Sequence, residues 1–109
     1  MTLKSCGLSR QKISYLKSLS NCFIKKQINP SKWNKFSDED IISELIKIKG
    51  IGRWTAEMFL IFNLCRPDIF PVDDLGLIKG ICKCYNMKYP ITKEHAIKLS
   101  QKWKPYRSV

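Results

Sequence analysis

Apolar residues recur along this chain with a helical period, and no stretch sustains the apolar–polar alternation of a half-buried strand. Ser9 stands where a cap belongs, ahead of a predicted helix reaching about Gln27. Ile13, Leu16, Leu19 and Phe23 share one face of it, and Lys12, Lys17, Lys25 and Lys26 occupy the rest. Asn29-Pro30 ends the pattern, because the residue before a proline is driven out of the α region. Ser37 then precedes Asp38, Glu39 and Asp40, three acids in a first turn where the helix dipole favours them. That helix carries Ile41, Ile42, Leu45, Ile46 and Ile48 and stops at Gly50. A third runs from near Gly52 to about Asn63 through Trp54, Met58, Phe59, Ile61 and Phe62.

A turn at Arg66-Pro67-Asp68 leads into a short extended piece, Ile69 to Val72. Asp73-Asp74 opens a fourth helix to about Cys84, with Asp73 read as its N-cap and Asp74 as a first-turn acid. The fifth starts at Thr92, carries Ala96, Leu99 and Trp103, and is closed by Pro105. Five short helices in 109 residues, with no repeat and no linker, predict one all-α domain over 1–109.

Charge narrows the field of partners. Lys and Arg number 20 against 9 Asp and Glu, a formal +11, which suits a polyanion: nucleic acid first, an anionic membrane face second. Sixteen of those 20 are Lys, and 14 Ile stand against 2 Ala, a skew that AT-rich coding also produces. Charge is therefore a weak pointer by itself. No apolar run approaches the roughly 20 residues that span a bilayer, and Met1 to Gln11 lack a signal peptide's apolar core. Five cysteines without a C-x-x-C pair, and a single His, argue against a zinc site or a disulfide framework. A soluble, intracellular domain with reduced cysteines is expected. His95, at a helix start beside Glu94, reads as a surface residue.

The joint between the second and third helices is the most informative stretch. Ile48-Lys49-Gly50-Ile51-Gly52 leaves almost no loop, so glycine is needed where φ turns positive and where backbones come close. Such a hairpin (about 41–63 with its helices) points amides of a helix N-terminus outward, where a phosphate fits. A plain tight helix–helix turn would satisfy the same glycine spacing.

Four ordered blocks extend the pattern. Gly7-Leu8-Ser9-Arg10-Gln11-Lys12, then Ile48 to Ala56, then Phe70-Pro71-Val72-Asp73-Asp74-Leu75-Gly76-Leu77, then Trp103-Lys104-Pro105-Tyr106-Arg107-Ser108 strongly resemble the helix-hairpin-helix DNA glycosylases. The resemblance covers residues 7 to 108 and is closest to the alkylation-repair branch, DNA-3-methyladenine glycosylase II. It implies a helix-hairpin-helix glycosylase bundle acting in base-excision repair on double-stranded DNA that contains alkylated bases. It implies that backbone amides of Gly50, Ile51, Gly52 and Thr55 hold a DNA phosphate. Carbonyls of Ile48 and Ile51 would hold a monovalent cation (Na or K) beside it. Asp74 matches the catalytic aspartate, Asp73 its non-catalytic neighbour, and Trp54 a residue facing the flipped base. Cytoplasmic placement follows for a bacterium and nuclear placement for a eukaryote.

The chemistry agrees. Breaking an N-glycosidic bond builds positive charge on the deoxyribose, and a nearby carboxylate stabilises it and steers the attacking water. A carboxylate at a helix N-terminus is expected to stay ionised at neutral pH for that role. Strand-nicking members of the superfamily carry lysine where this chain has Trp54, so no amine is placed for a Schiff base and a monofunctional enzyme is expected. The four-cysteine iron–sulfur loop of another branch is also missing. An indole face suits a cationic methylated purine such as 3-methyladenine, although Met58 and Phe59 beside it equally suit a core tryptophan.

The resemblance further implies helices ahead of Gly7, and one after Ser108, that this sequence does not carry. The chain reads as the C-terminal portion of a glycosylase domain, an incomplete bundle. An apolar face along Ile13, Leu16, Phe59 and Phe62 is then expected to be exposed, favouring self-association or a second polypeptide that supplies the other half. The competing expectation is a catalytically incompetent remnant that keeps non-specific DNA binding through its hairpin. A basic RNA- or ribosome-associated helical protein is the third.

Overall fold

The computed structural model describes residues 2–109. Its α-helices are α1 (Arg10–Ile24), α2 (Asp38–Leu45), α3 (Arg53–Phe62), α4 (Leu75–Cys84) and α5 (Lys93–Ser100), and no strand occurs among the described residues. Three short 3-10 helices, Lys4–Cys6, Pro30–Lys35 and Gln101–Trp103, punctuate them. The all-α expectation holds. Two compact units divide the chain inside α3, one ending at Ala56 and the other running from Glu57 to Val109.

In the first unit the helix starts lie where the serines placed them. Ser9 accepts a hydrogen bond from the Lys12 amide at 3.2 Å. Ser37 and Asp40 form a reciprocal capping box at the start of α2. The ends differ from expectation. α1 stops at Ile24 because Lys26 adopts a left-handed φ of 54° and the Gln27 amide reaches back to the Cys22 carbonyl at 2.9 Å. That is a Schellman closure with lysine in the position glycine usually takes. α2 ends at Leu45 rather than near Gly50; the Ile48 amide bonds the Leu45 carbonyl, tightening the last turn to three residues.

The segment after Asn29-Pro30 is not merely a breaker. Pro30 opens the 3-10 helix that buries Trp33, whose indole N–H donates to Glu44 Oε2 at 3.1 Å. Glu44 Oε1 accepts the Asn29 amide at 2.6 Å. A carboxylate buried on α2 therefore latches the 3-10 helix down, among buried Ile41, Ile42 and Leu45.

In the second unit Ile78, Ile81 and Cys82 of α4 meet Ala96 of α5, with Phe70, Leu99 and Trp103 packed around them. Thr92 caps α5 through the His95 amide, as its position predicts. Trp103 lies in the 3-10 turn after α5 rather than on the helix itself. The extended Ile69–Val72 piece is held from the far end of the chain: Ser108 Oγ accepts the Ile69 amide at 2.8 Å and donates to the Arg66 carbonyl at 2.6 Å. Of the expected apolar surface, Phe62 and Leu16 are exposed, whereas Ile13 and Phe59 are half-buried.

Candidate active site and nucleic-acid interface

The hairpin turn and the first residues of α3 lie within the first unit. The Ile51 amide donates to the Ile48 carbonyl at 3.1 Å, closing the turn, and Gly50 takes the positive φ, 94°. The Lys49 amide is held by Ser18 Oγ at 3.0 Å, which fixes the hairpin to α1. The Gly52 carbonyl accepts the Ala56 amide at 3.1 Å, so α3 begins at Arg53. Thr55 consequently stands in a first turn, where an amide has no carbonyl four positions back within the helix. Ile51, expected among the phosphate donors, has its N–H engaged inside the turn. Arg53 forms a two-point ion pair with Glu39, N–O distances 3.0 and 2.5 Å, tying the first turn of α3 to that of α2. The guanidinium, chiefly by hydrogen bonding, holds the Glu39 carboxyl below its usual range. Trp54 is 47% exposed in this structure, although Met58 and Phe59 on the same helix are half-buried.

Asp74 belongs to the second unit, and its place corrects the expected cap. Asp74, not Asp73, is the N-cap of α4: its Oδ1 accepts the Leu77 amide at 2.9 Å, and its carbonyl takes the Ile78 amide. The Asp74 amide bonds the Pro71 carbonyl at 2.9 Å, which sets the helix start one residue later than the acid pair alone suggests. Asp73 turns away to an ion pair with Lys93 at 2.5 Å. The two neighbouring carboxylates thus differ in their surroundings: one meets a lysine, the other accepts a backbone amide.

Asp74 lines a cavity of about 670 Å³ with Met58, Phe70, Trp103, Tyr106 and Arg107 among its walls. Phe70 and Trp103 rings lie 6.1 Å apart, tilted by 58°. Arg107 donates to Asp68 through Nε at 2.6 Å and Nη2 at 3.0 Å, and its backbone amide joins them at 3.3 Å. This pairing holds the Asp68 carboxyl below the usual carboxylate range, the side-chain hydrogen bond being the largest cause. The cavity walls at Trp103, Tyr106 and Arg107 were not singled out as site residues from the sequence, although all three sit in the fourth of the motif blocks. Among the described residues no cluster of His, Cys, Asp and Glu could hold a metal ion.

The family described as HhH-GPD superfamily base excision DNA repair protein matches residues 1–105. The chain belongs to the HhH-GPD superfamily. DNA-3-methyladenine glycosylase 1 of Schizosaccharomyces pombe is 40% identical over 108 residues, covering 97% of this chain and 47% of the relative. DNA-3-methyladenine glycosylase of Saccharomyces cerevisiae is 41% identical over 95 residues, covering 84% of this chain and 32% of the relative. The solved 3-methyladenine DNA glycosylase of S. pombe, in complex with abasic DNA, superposes with a TM-score of 0.84 at 38% identity. That match covers 99% of this chain and 54% of the other. A DNA-3-methyladenine glycosidase from Bacillus halodurans gives a TM-score of 0.89 at 33% identity, over 98% of this chain and 49% of its own. This HhH-GPD chain thus spans between a third and about half of the length of these relatives.

Proposed function

We propose that this chain supplies the DNA-binding hairpin and the catalytic aspartate of a monofunctional glycosylase that removes alkylated purines from double-stranded DNA. The observation that carries the reading is Asp74: a carboxylate fixed by the Leu77 amide at the mouth of α4, in a cavity walled by aromatic rings. A base flipped from the duplex costs a few kcal/mol to extrude, and aromatic walls return part of that by stacking.

As the bond between C1′ and the base nitrogen breaks, its electron pair leaves with the base and positive charge develops at C1′ and the ring oxygen. The Asp74 carboxylate opposes that charge and orients a water whose oxygen bonds C1′, its proton passing to the carboxylate or to solvent. A methylated purine that is already cationic departs neutral, so modest electrostatic help suffices. Trp54, half exposed on the first turn of α3, offers an indole face to such a base. Its place in the motif is where a lyase would carry lysine, so no Schiff base forms there.

The hairpin would bind the phosphate through the amides of Gly50, Gly52 and Thr55, at the positive end of α3. Carbonyl oxygens suit a hard monovalent cation, and the Ile48 oxygen keeps a second lone pair after accepting the Ile51 amide. Ile48 and Ile51 carbonyls would hold such an ion, which would add positive charge beside the phosphate.

The test is base release from methylated duplex DNA by the 109-residue chain, run beside Asp74→Asn. Release by the wild type alone supports the reading. A folded chain that binds duplex but releases nothing is instead a DNA-binding remnant. Release that appears only when a second polypeptide is added would place the rest of the pocket on that polypeptide.

A further inference from the structure

We propose that the concave face between α1 and the Lys47–Lys49 segment is a second track for the DNA phosphodiester backbone, distinct from the hairpin amides. A cavity of about 620 Å³ opens there, with Arg10, Lys17, Lys25, Lys47 and Lys49 on its walls and no carboxylate among its lining residues. Ser14 and Asn21 stand between the cations as neutral hydrogen-bonding groups. The inference rests on the reading that DNA is the partner, and it assigns that binding to named lysines.

Lysines on a helix are ordinarily solvated separately and interleaved with acids. Elsewhere in this chain, basic side chains do find carboxylates: Arg53 meets Glu39, Lys93 meets Asp73 and Arg107 meets Asp68. In the cleft they do not. No acidic residue precedes Asp38 in the sequence, and Asp38, Glu39, Asp40 and Glu44 all lie outside the cavity lining. Like charges gathered around a concavity repel one another and raise the local positive potential there. A polyanion relieves that repulsion and releases its own condensed counterions.

Position also favours the DNA backbone. Ser18 Oγ holds the Lys49 amide at 3.0 Å, so α1 and the residue just ahead of Gly50 form one surface. Lys47 and Lys49 flank Ile48, whose carbonyl closes the hairpin turn. The lysine cleft therefore adjoins the hairpin turn, within reach of a strand whose phosphate sits on the hairpin amides.

Salt-dependent binding of a short unmodified duplex, read by fluorescence anisotropy, tests this. The triple variant Lys17→Gln, Lys25→Gln, Lys47→Gln is compared with Lys83→Gln, Lys88→Gln, Lys98→Gln, which removes the same charge from the second unit. Circular dichroism verifies that both fold. Each phosphate no longer neutralised by a lysine lowers the slope of log affinity against log salt by about 0.9. The cleft variant should therefore show a slope shallower by about 2 to 3, and the control by less than about 1. Equal changes in both variants would overturn the cleft, because net charge alone would then explain attraction. An effect on an RNA duplex but not on DNA would overturn it in favour of RNA. Gly52→Asp separates the two readings. If it weakens duplex binding while the cleft variant behaves like the control, the cleft proposal falls and the DNA reading stands. Failure of the wild type to bind duplex would remove both.

Discussion

Gly50 lies directly against the ring face of Tyr15: a Cβ added to it would sit 2.5 Å from two ring carbons. The ring itself is steadied by Gln11, whose side-chain amide donates to the Tyr15 hydroxyl at 2.6 Å. The hairpin glycine is thus required twice, by its φ of 94° and by the closeness of α1. Gly50→Ala should destabilise the chain by about 2 to 4 kcal/mol, from left-handed strain and overpacking together. Combining it with Tyr15→Ala should cost less than the two single changes added, since only the clash is shared. Chemical denaturation of the four variants measures the coupling, and strict additivity would count against the contact. Gly52 meets nothing within 4 Å of an added Cβ, so Gly52→Ala should leave stability nearly unchanged.

Glu44 gives a second test, away from the hairpin. Its carboxylate takes both the Trp33 indole N–H and the Asn29 amide. Glu44→Ala leaves the buried Trp33 N–H without its acceptor, at about 1 to 3 kcal/mol, and the half-buried Asn29 amide adds less. Glu44→Gln keeps one acceptor and should cost less. Trp33 fluorescence should shift to the red in the alanine variant as water reaches the ring; an unchanged spectrum with unchanged stability would mean the latch holds nothing.

These two relationships mark what the sequence shows and what it hides. Ser9, Ser37 and Thr92 announced their helices because a cap is a local device, legible within four residues. The hairpin glycine was legible for the same reason. The Pro30–Lys35 helix was not: one Trp amid Lys, Asn and Pro carries no periodicity, and its partner Glu44 lies on another element. The cap of α4 moved from Asp73 to Asp74 because the Pro71 carbonyl holds the Asp74 amide, a turn invisible in a pair of identical residues. Trp103, Tyr106 and Arg107 reach the Asp74 cavity only through folding of the chain end, so spacing alone did not assign them to it.

Asp68 and Arg107 should make the second unit sensitive to acid. The folded carboxyl lies below its unfolded value of about 3.9. A depressed carboxylate contributes its full stability above that unfolded value and loses it as pH falls through the folded one. Thermal midpoints should therefore drop below about pH 4 more steeply in the wild type than in Asp68→Asn, which starts lower and stays flatter. Parallel curves would show that the pair contributes nothing. Arg107 also walls the Asp74 cavity, so the same acid loss should loosen that wall before global unfolding, visible as Trp103 fluorescence changing ahead of far-ultraviolet circular dichroism.

Gly76 offers the sharpest separation of stability from chemistry. It occupies the first turn of α4, and a Cβ there would lie 3.3 Å from Asp74 Oδ1, the oxygen that caps the Leu77 amide. Alanine is the better helix former by about 1 kcal/mol, so Gly76→Ala should hold or raise the melting temperature while displacing the carboxylate by a few tenths of an ångström. Misplacing a reacting group by about 1 Å can cost about 100-fold; the smaller shift should slow single-turnover base release by about 3- to 10-fold. Gly80, on the same helix, has nothing within 4 Å of an added Cβ. Gly80→Ala should therefore give the same gain in stability with no change in rate. Asp74→Asn completes the set, because asparagine caps a helix about as well as aspartate: melting should barely move and release should vanish. If Gly76→Ala slows nothing while Asp74→Asn abolishes release, the carboxylate acts from a position that tolerates displacement. Electrostatic stabilisation at a distance, rather than precise orientation of water, would then be its contribution.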